Sequence, residues 1–475
     1  MSGTARNFAW PSRWPLWVCV GLLLRLLLIY FPRPSDDDLG VYLELGHNLL
    51  HHGIYGIADG DDISPSLFRL PGYPLFLATL ELVFGRFWLY AVFTAQVLAD
   101  LASGMLLAAF ARRHISNRAG EITLALAMLC PFTAAYAGIA MTECLSIFAI
   151  SLGLYSVGRA LAKQRSGKRD LGACVLAGCA SALAMLLRPD GAILTAVLGA
   201  SLLVYSLRNQ PADQPRNWRQ PFLMAALFSA VALLPLLPWT LRNWNEFHVF
   251  QPLAPRYVND PDERVNSGFY RWLRTWTVEY ATTWKVFWHV GQSNIDPNDL
   301  PSRAFDSWQQ KAQTLELIAN YNQWHDLSQQ LDDKFGALAD QRLRSHPLRY
   351  YIVLPLMRVA DMALRPRTDT FTFDIYWWRF NNHPRESIGA ILIGLINLGY
   401  FVLAALAFLR GRVPWAWMML GLLLFRFVLL ATMENPEPRY TMQCYPILIL
   451  AAAAMLAGKP NPTKNLDEPQ PICID

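Results

Sequence analysis

The chain has 475 residues, 53% of them hydrophobic and only 16% charged, against about 25% charged in a soluble domain. Its apolar residues gather into runs of about 20, the length that crosses a hydrocarbon layer of ~30 Å, which excludes a soluble globular protein. The formal charge of +5 does not point to nucleic acid, because the basic residues stand where membrane topology puts them.

Hydropathy predicts ten spans, at 14–32, 88–111, 119–139, 143–162, 171–188, 190–208, 220–240, 387–409, 413–433 and 440–458. The first is too long for a signal peptide, contains Arg25 and has no small-residue cleavage site, so it reads as a retained helix. "RRHISNR" (112–118), "KQRSGKR" (163–169), "RNQPADQPRNWR" (208–219) and "RGR" (410–412) fall on one side if the spans alternate. The positive-inside rule makes that side the cytoplasm and places both termini there. The expected fold is therefore all-α and polytopic. Residues 1–240 form an N-terminal transmembrane module with a first outer loop at 33–87. Residues 241–386 form a large outer loop, 387–458 the C-terminal transmembrane helices, and 459–475 a polar, disordered cytoplasmic tail. The expected setting is a plasma (inner) membrane.

Within 33–87, Leu39, Tyr42, Leu45, Leu49 and Leu50 recur at helical spacing, and His51-His52-Gly53 reads as a helix stop. "RLPGYPLFLATLELVFG" (69–85) follows a Pro-Gly turn with about 14 mostly apolar residues, too few for a span, and suits an interfacial helix. In the large loop, Trp308, Leu315, Ile318, Leu331, Phe335 and Leu338 mark a small helical cap over 303–345. The stretch 348–364 carries Arg349, Arg358 and Asp361 and reads as an amphipathic helix on the membrane surface. The short outer piece 434–440 reads "ENPEPRY".

Three groups of residues could carry chemistry. "SDDDLGVY" (35–42) sets three acids just past the first span. Ser35 with Asp38 makes a capping-box pattern, while an ionised carboxylate there could also serve as a general base. Glu143, behind Thr142 at the start of a span, shares the outer face and again reads as cap or catalyst. Arg69, Arg188, Arg242 and Arg439 stand at outer ends of spans, beside proline or aromatic residues. One such arginine is an ordinary anchor, but four suit an anionic head group, because guanidinium binds phosphate bidentately.

Inside the membrane, Gln96 and Asp100 share a helix face, and Asp100 can pair structurally with Arg25 or Arg426. His47, His51, His52, His248 and His289 read as surface residues, and the seven cysteines show no disulfide or zinc spacing.

"SDDDLGVYLELGHNLLHHGIYG", "FRLPGYPLFLATLELVFG", "TECLSIFAISLGLY", "LLRPDG", "PWTLRNW" and "EPRYTMQCYPILILAA" occur in that order. In this the chain resembles the GT-C superfamily of glycosyltransferases, and within it glycosyltransferase family 39, the protein mannosyltransferases and aminoarabinose transferases. The likeness runs through most of 14–458 and is loosest over 245–345. It implies a GT-C-like bundle with interfacial helices and an outer cap. The implied enzyme passes one sugar from a polyprenyl-phosphate donor to a protein, lipid or glycan acceptor on the outer face. No cofactor is implied, since a monophosphate can leave without a metal, although other GT-C enzymes use divalent ions.

The family pattern D-x-x-x-Y-x-x-x-A falls on Asp38 and Tyr42, with Gly46 in place of alanine. Where the family often has Asp-Glu, this chain has Asp38-Leu39, which leaves Asp37 as an alternative base. Glu143 falls where the family has a second acid. Arg69, Tyr73, Arg188, Arg242, Arg439 and Tyr440 fall in segments that would border the donor phosphate. Two rivals are a ligase moving a whole lipid-linked oligosaccharide and a lipid-sugar transporter or flippase. The acid directly after the first span favours single-sugar transfer. Charge at the outer surface rather than along a pathway disfavours transport.

Overall fold

The computed structural model describes the chain except residues 1–12, 31–36, 166–167, 209–217, 262, 289, 372 and 459–475, and except the side chains of Asp37 and Arg165. The expected cap residues Ser35 and Asp36, together with His289 and the tail, thus lie outside the described residues. Two compact units form. One comprises 1–255, 399–422 and 443–475, the other 256–398 and 423–442.

The first unit begins with helices α1 (Trp14–Ile29) and α2 (Asp37–His52) and a hairpin of β1 (Gly56–Asp59) and β2 (Asp62–Pro65). The antiparallel register runs from Gly56 opposite Pro65 to Asp59 opposite Asp62, and Gly60 turns the chain with φ +65°. This hairpin was not expected. "GIAD" and "DISP" are too short and too polar to show an alternating pattern.

There follow α3 (Gly72–Phe84), α4 (Trp88–His114), α5 (Asn117–Met128), α6 (Pro131–Tyr136), α7 (Thr142–Arg165), α8 (Leu171–Leu187), α9 (Gly191–Arg208), α10 (Arg219–Leu233) and α11 (Leu236–Phe247). The expected span 119–139 is broken. Pro131 has no N–H to give and holds Cys130 in an extended conformation (φ −66°, ψ 109°), which ends α5 and starts α6 afresh. Asp170 caps α8 by accepting from the Ala173 N–H at 3.2 Å, while its carboxylate bonds Arg159 at 2.7 Å.

The remaining helices are α12 (Ser267–Arg274), α13 (Tyr280–Val286), α14 (Trp308–Trp324), α15 (Gln329–Ser345), α16 (Leu354–Leu364), α17 (Pro384–Leu409), α18 (Ala416–Ala431) and α19 (Tyr445–Ala457). In the second unit, Phe269, Trp272, Ile318, Tyr321 and Phe335 form a buried core from α12, α14 and α15. The Asp332 carboxylate secures it by accepting from the N–H groups of Gly268 and Phe269 at 3.0 and 2.8 Å, buried donors at the α12 N-terminus that have no partner within the helix. Trp308 stays 85% exposed, so the expected cap has its core without that residue. Arg358 of α16 is buried, not surface-facing, and donates to the Met433 and Arg274 carbonyls.

Helices occupy each of the ten expected places, yet ten spans are not established. Among the described residues, five helices are long and apolar enough to cross a membrane, or six if the bent pair α10–α11 is one span. One of them is Gly72–His114, in which the expected interfacial helix α3 runs on into α4. The helices at 14–29, 171–187 and 416–431 are apolar but shorter than a full span. The chain is a multi-pass membrane protein, mainly helical with almost no sheet.

Candidate functional site

The first unit draws together residues distant in sequence through two close helix contacts. Gly46 of α2 passes the Pro74 carbonyl of α3 so closely that a Cβ would stand 2.9 Å from its oxygen. Gly72, opening α3, lies against the end of α8, where a Cβ would meet the Leu186 carbonyl oxygen at 2.6 Å. The first contact brings Tyr42 edge-on to Tyr73, ring centres 5.3 Å apart. The second brings Arg69, just before α3, into the neighbourhood of Arg188, just after α8.

Asp38 lies in the first turn of α2, and Tyr42 one turn further on the same face. The Asp38 carboxylate is ion-paired with the Arg69 guanidinium, which also stands 5.5 Å from the Tyr42 ring centre. Arg188, whose charge also acts on the Tyr42 phenol, donates to Glu143 Oε1 at 2.9 Å and to Thr142 Oγ1 at 3.2 Å, and its Nε lies 3.4 Å from Asp190. Glu143 is fully buried, whereas Asp38, Arg69 and Arg188 keep partial access. Burial pushes the Tyr42 phenol above its ordinary pKa, with Arg69, Asp38, Arg188 and Glu143 all acting on it. Two ion pairs therefore act on one buried phenol. Arg69 Nε is buried and has no hydrogen-bond partner among the described residues, a donor that an anionic oxygen would satisfy.

Beneath this layer, the Tyr73 hydroxyl donates to Gln96 Oε1 at 2.8 Å, and Gln96 Nε2 donates to the Ile139 carbonyl at 2.7 Å. Deeper still, Arg25 donates to Asp100 at 2.8 Å and to the Met128 carbonyl at 2.8 Å. Arg25 thereby takes up a backbone acceptor that the break at Pro131 leaves open, so this intramembrane pair is structural.

The remaining expected residues make other contacts. Arg242 donates to the Ser66 and Tyr55 carbonyls, each at 2.7 Å, and lies 5.4 Å from the Trp239 ring centre, which fastens the hairpin to α11. Arg439 and Tyr440 belong to the second unit, where Arg439 is ion-paired with buried Glu437 and faces the Tyr440 ring at 5.5 Å. The expected outer piece 434–440 is thus largely buried, with Glu434 held by Arg256 at 2.9 Å and Arg274 at 3.5 Å. Asp37 cannot be weighed against Asp38, because its side chain lies outside the described residues.

Sequence reasoning passed over Asp190 and Thr142 as partners of Arg188. It also passed over Arg365 and Arg367 in "RPRTD", both buried in the second unit. Arginines two residues apart in a proline-bearing turn were the available signal. Arg365 edges a cavity of about 600 Å³ lined by Asp361, Trp377, Trp378, Ile391 and Leu395. Burial pushes the Asp361 carboxyl up, against the opposing pull of Arg365.

Residues 68–239 match the family model described as dolichyl-phosphate-mannose-protein mannosyltransferase. That stretch holds Arg69, Tyr73, Glu143 and Arg188. The chain thus resembles the GT-C glycosyltransferases by this match as well as by its motifs. No curated protein matches it by sequence.

Among solved structures it is similar to the oligosaccharyltransferase AglB of Archaeoglobus fulgidus in complex with an inhibitory peptide and a dolichol-phosphate. That match has 12% identity, TM-score 0.48, and covers 94% of this chain and 50% of the other. It is also similar to ArnT from Cupriavidus metallidurans bound to undecaprenyl phosphate, at 18% identity and TM-score 0.40, covering 93% and 76%. The chain spans about half the length of the archaeal proteins.

Proposed function

We propose that this chain is a GT-C glycosyltransferase that moves a single sugar from a polyprenyl-phosphate donor to an acceptor hydroxyl on the outer face of the membrane, with inversion. The observation that carries this reading is the pair of ion pairs, Asp38–Arg69 and Glu143–Arg188, set around Tyr42. It supplies an acid with partial solvent access, two arginines for a departing phosphate, and a neutral phenol on which both pairs act. Asp38 accepts the acceptor's proton as its oxygen attacks the anomeric carbon, and the bond from that carbon to the phosphate oxygen breaks. The polyprenyl phosphate leaves with one more negative charge. Arg69 and Arg188 are already in place to stabilise that charge, an effect worth several kcal/mol. Glu143, buried against Arg188, acts as a positioning residue for that guanidinium.

The test is a transfer assay in membranes with polyprenyl-phosphate sugars, comparing wild type with Asp38→Asn and Glu143→Gln. Loss of a general base lowers turnover by about 10²–10⁴-fold, and that is the result expected of Asp38→Asn. Full transfer by that variant would remove Asp38 from the chemistry. A wild type that transfers nothing but carries lipid-linked sugar across vesicles would replace the enzyme with a transporter.

A further inference from the structure

The two helices that frame the site also bring together three side chains with no part in it. His47 and His51 lie one turn apart on α2, with ring centres 4.2 Å apart. Both point at one carboxylate oxygen of Glu81 on α3. His47 Nδ1 and His51 Nε2 each stand 3.1 Å from Glu81 Oε1, and all three ligand atoms lie within 4.8 Å of one another. Ligand atoms around a tetrahedral zinc at 2.0–2.1 Å are roughly 3.3 Å apart, so the groups already stand near coordinating distance. The histidines are about half exposed and Glu81 is partly covered, which leaves an entry path and room for a water in a fourth position.

The backbone supports the same arrangement. The close passage of Gly46 by the Pro74 carbonyl is what lets residues 47 and 51 reach across to α3. Two imidazoles and one carboxylate form a ligand set suited to zinc rather than to magnesium or calcium, which take oxygen ligands.

We propose that His47, His51 and Glu81 form a site for a divalent transition metal, zinc by ligand type, that clamps the C-terminal half of α2 to α3. It stands apart from the catalytic reading. His47 and His51 are nine and thirteen residues beyond Asp38, about 14 and 20 Å along the helix, so the ion does not touch the Asp38–Arg69 pair and is no part of the proposed sugar transfer. No bond in any substrate is made or broken there; the imidazole and carboxylate lone pairs bind the ion.

The experiment uses the full chain in detergent, tag-free, stripped with EDTA and titrated with Zn²⁺ by calorimetry. Bound metal is counted after gel filtration. The expected result is one Zn²⁺ per chain and a thermal midpoint that rises with zinc and falls with EDTA. His47→Ala and His51→Ala should each weaken binding by more than about tenfold, while neighbouring His52→Ala leaves it unchanged. Replacing Zn²⁺ by Co²⁺ should give a visible absorption band that both histidine variants lose. Uptake of no zinc by the wild type at tens of micromolar would overturn the site. So would wild-type affinity in His47→Ala and His51→Ala variants that elute as folded protein. Neither readout depends on transfer activity, so the result stands or falls independently of the proposed reaction.

Discussion

Tyr42 has its ring against Tyr73 and its hydroxyl within the field of four charged groups, two of each sign. Burial raises its pKa, so at neutral pH the phenol is a hydrogen-bond donor and not an anion. Tyr42→Phe keeps the ring packing and removes that donor. A hydrogen bond to a charged group is worth about 1.5–3 kcal/mol, so kcat/KM for transfer should fall about 10- to 100-fold with little change in thermal stability. Gly72→Ala has the opposite profile. Its methyl group would press on the Leu186 backbone, and overpacking of that kind costs about 1–3 kcal/mol, to be read from thermal unfolding. The sequence made Asp38, Tyr42 and the arginines at span ends legible as candidates, because their residue types and the four-residue spacing are local. It could not say which arginine faces which acid. That depends on contacts at Gly46 and Gly72 between segments far apart in the chain.

At the scale of elements, the break between α5 and α6 is stabilised from another helix. Arg25 of α1 bonds Asp100 of α4 and the Ala127 and Met128 carbonyls at the end of α5. Removing one partner of a buried pair leaves the other charge uncompensated, at a cost of about 3–5 kcal/mol. Arg25→Ala and Asp100→Asn should therefore each lower the thermal midpoint markedly, and the double variant should cost less than the sum of the two. Hydropathy found the helices because apolar runs need no tertiary information. It missed the break, since "LCPF" is as apolar as its surroundings and a proline at a helix's first position is ordinary. His47 and His51 read as surface residues and are exposed, and their i, i+4 spacing was in plain view. The third member, Glu81, enters only when α3 folds back along α2.

The whole molecule divides into a unit carrying the ion pairs around Tyr42 and a unit holding the helical cap and its own buried arginines. If the basic stretches face the cytoplasm, single cysteines in a cysteine-free background will sort by side. One at Lys168 should react with an impermeant maleimide only from the cytoplasmic face, and one at Gln313, in α14, only from outside. Labelling of both from one face would overturn the orientation. The cap was legible through its apolar spacing. The burial of 434–440 was not, since a run of acids, prolines and an arginine carries no mark of the cationic partners that neutralise it.

If the reaction is the one proposed above, the contact between Asp38 and Arg69 also bears on the order of binding. A lipid phosphate that engages Arg69 competes with the Asp38 carboxylate for the same cation. Donor binding would then loosen that contact and free the carboxylate to meet an acceptor hydroxyl. The transfer kinetics should accordingly be compulsory-order, with the donor binding first, and the variant Arg69→Gln should lose that order along with its rate.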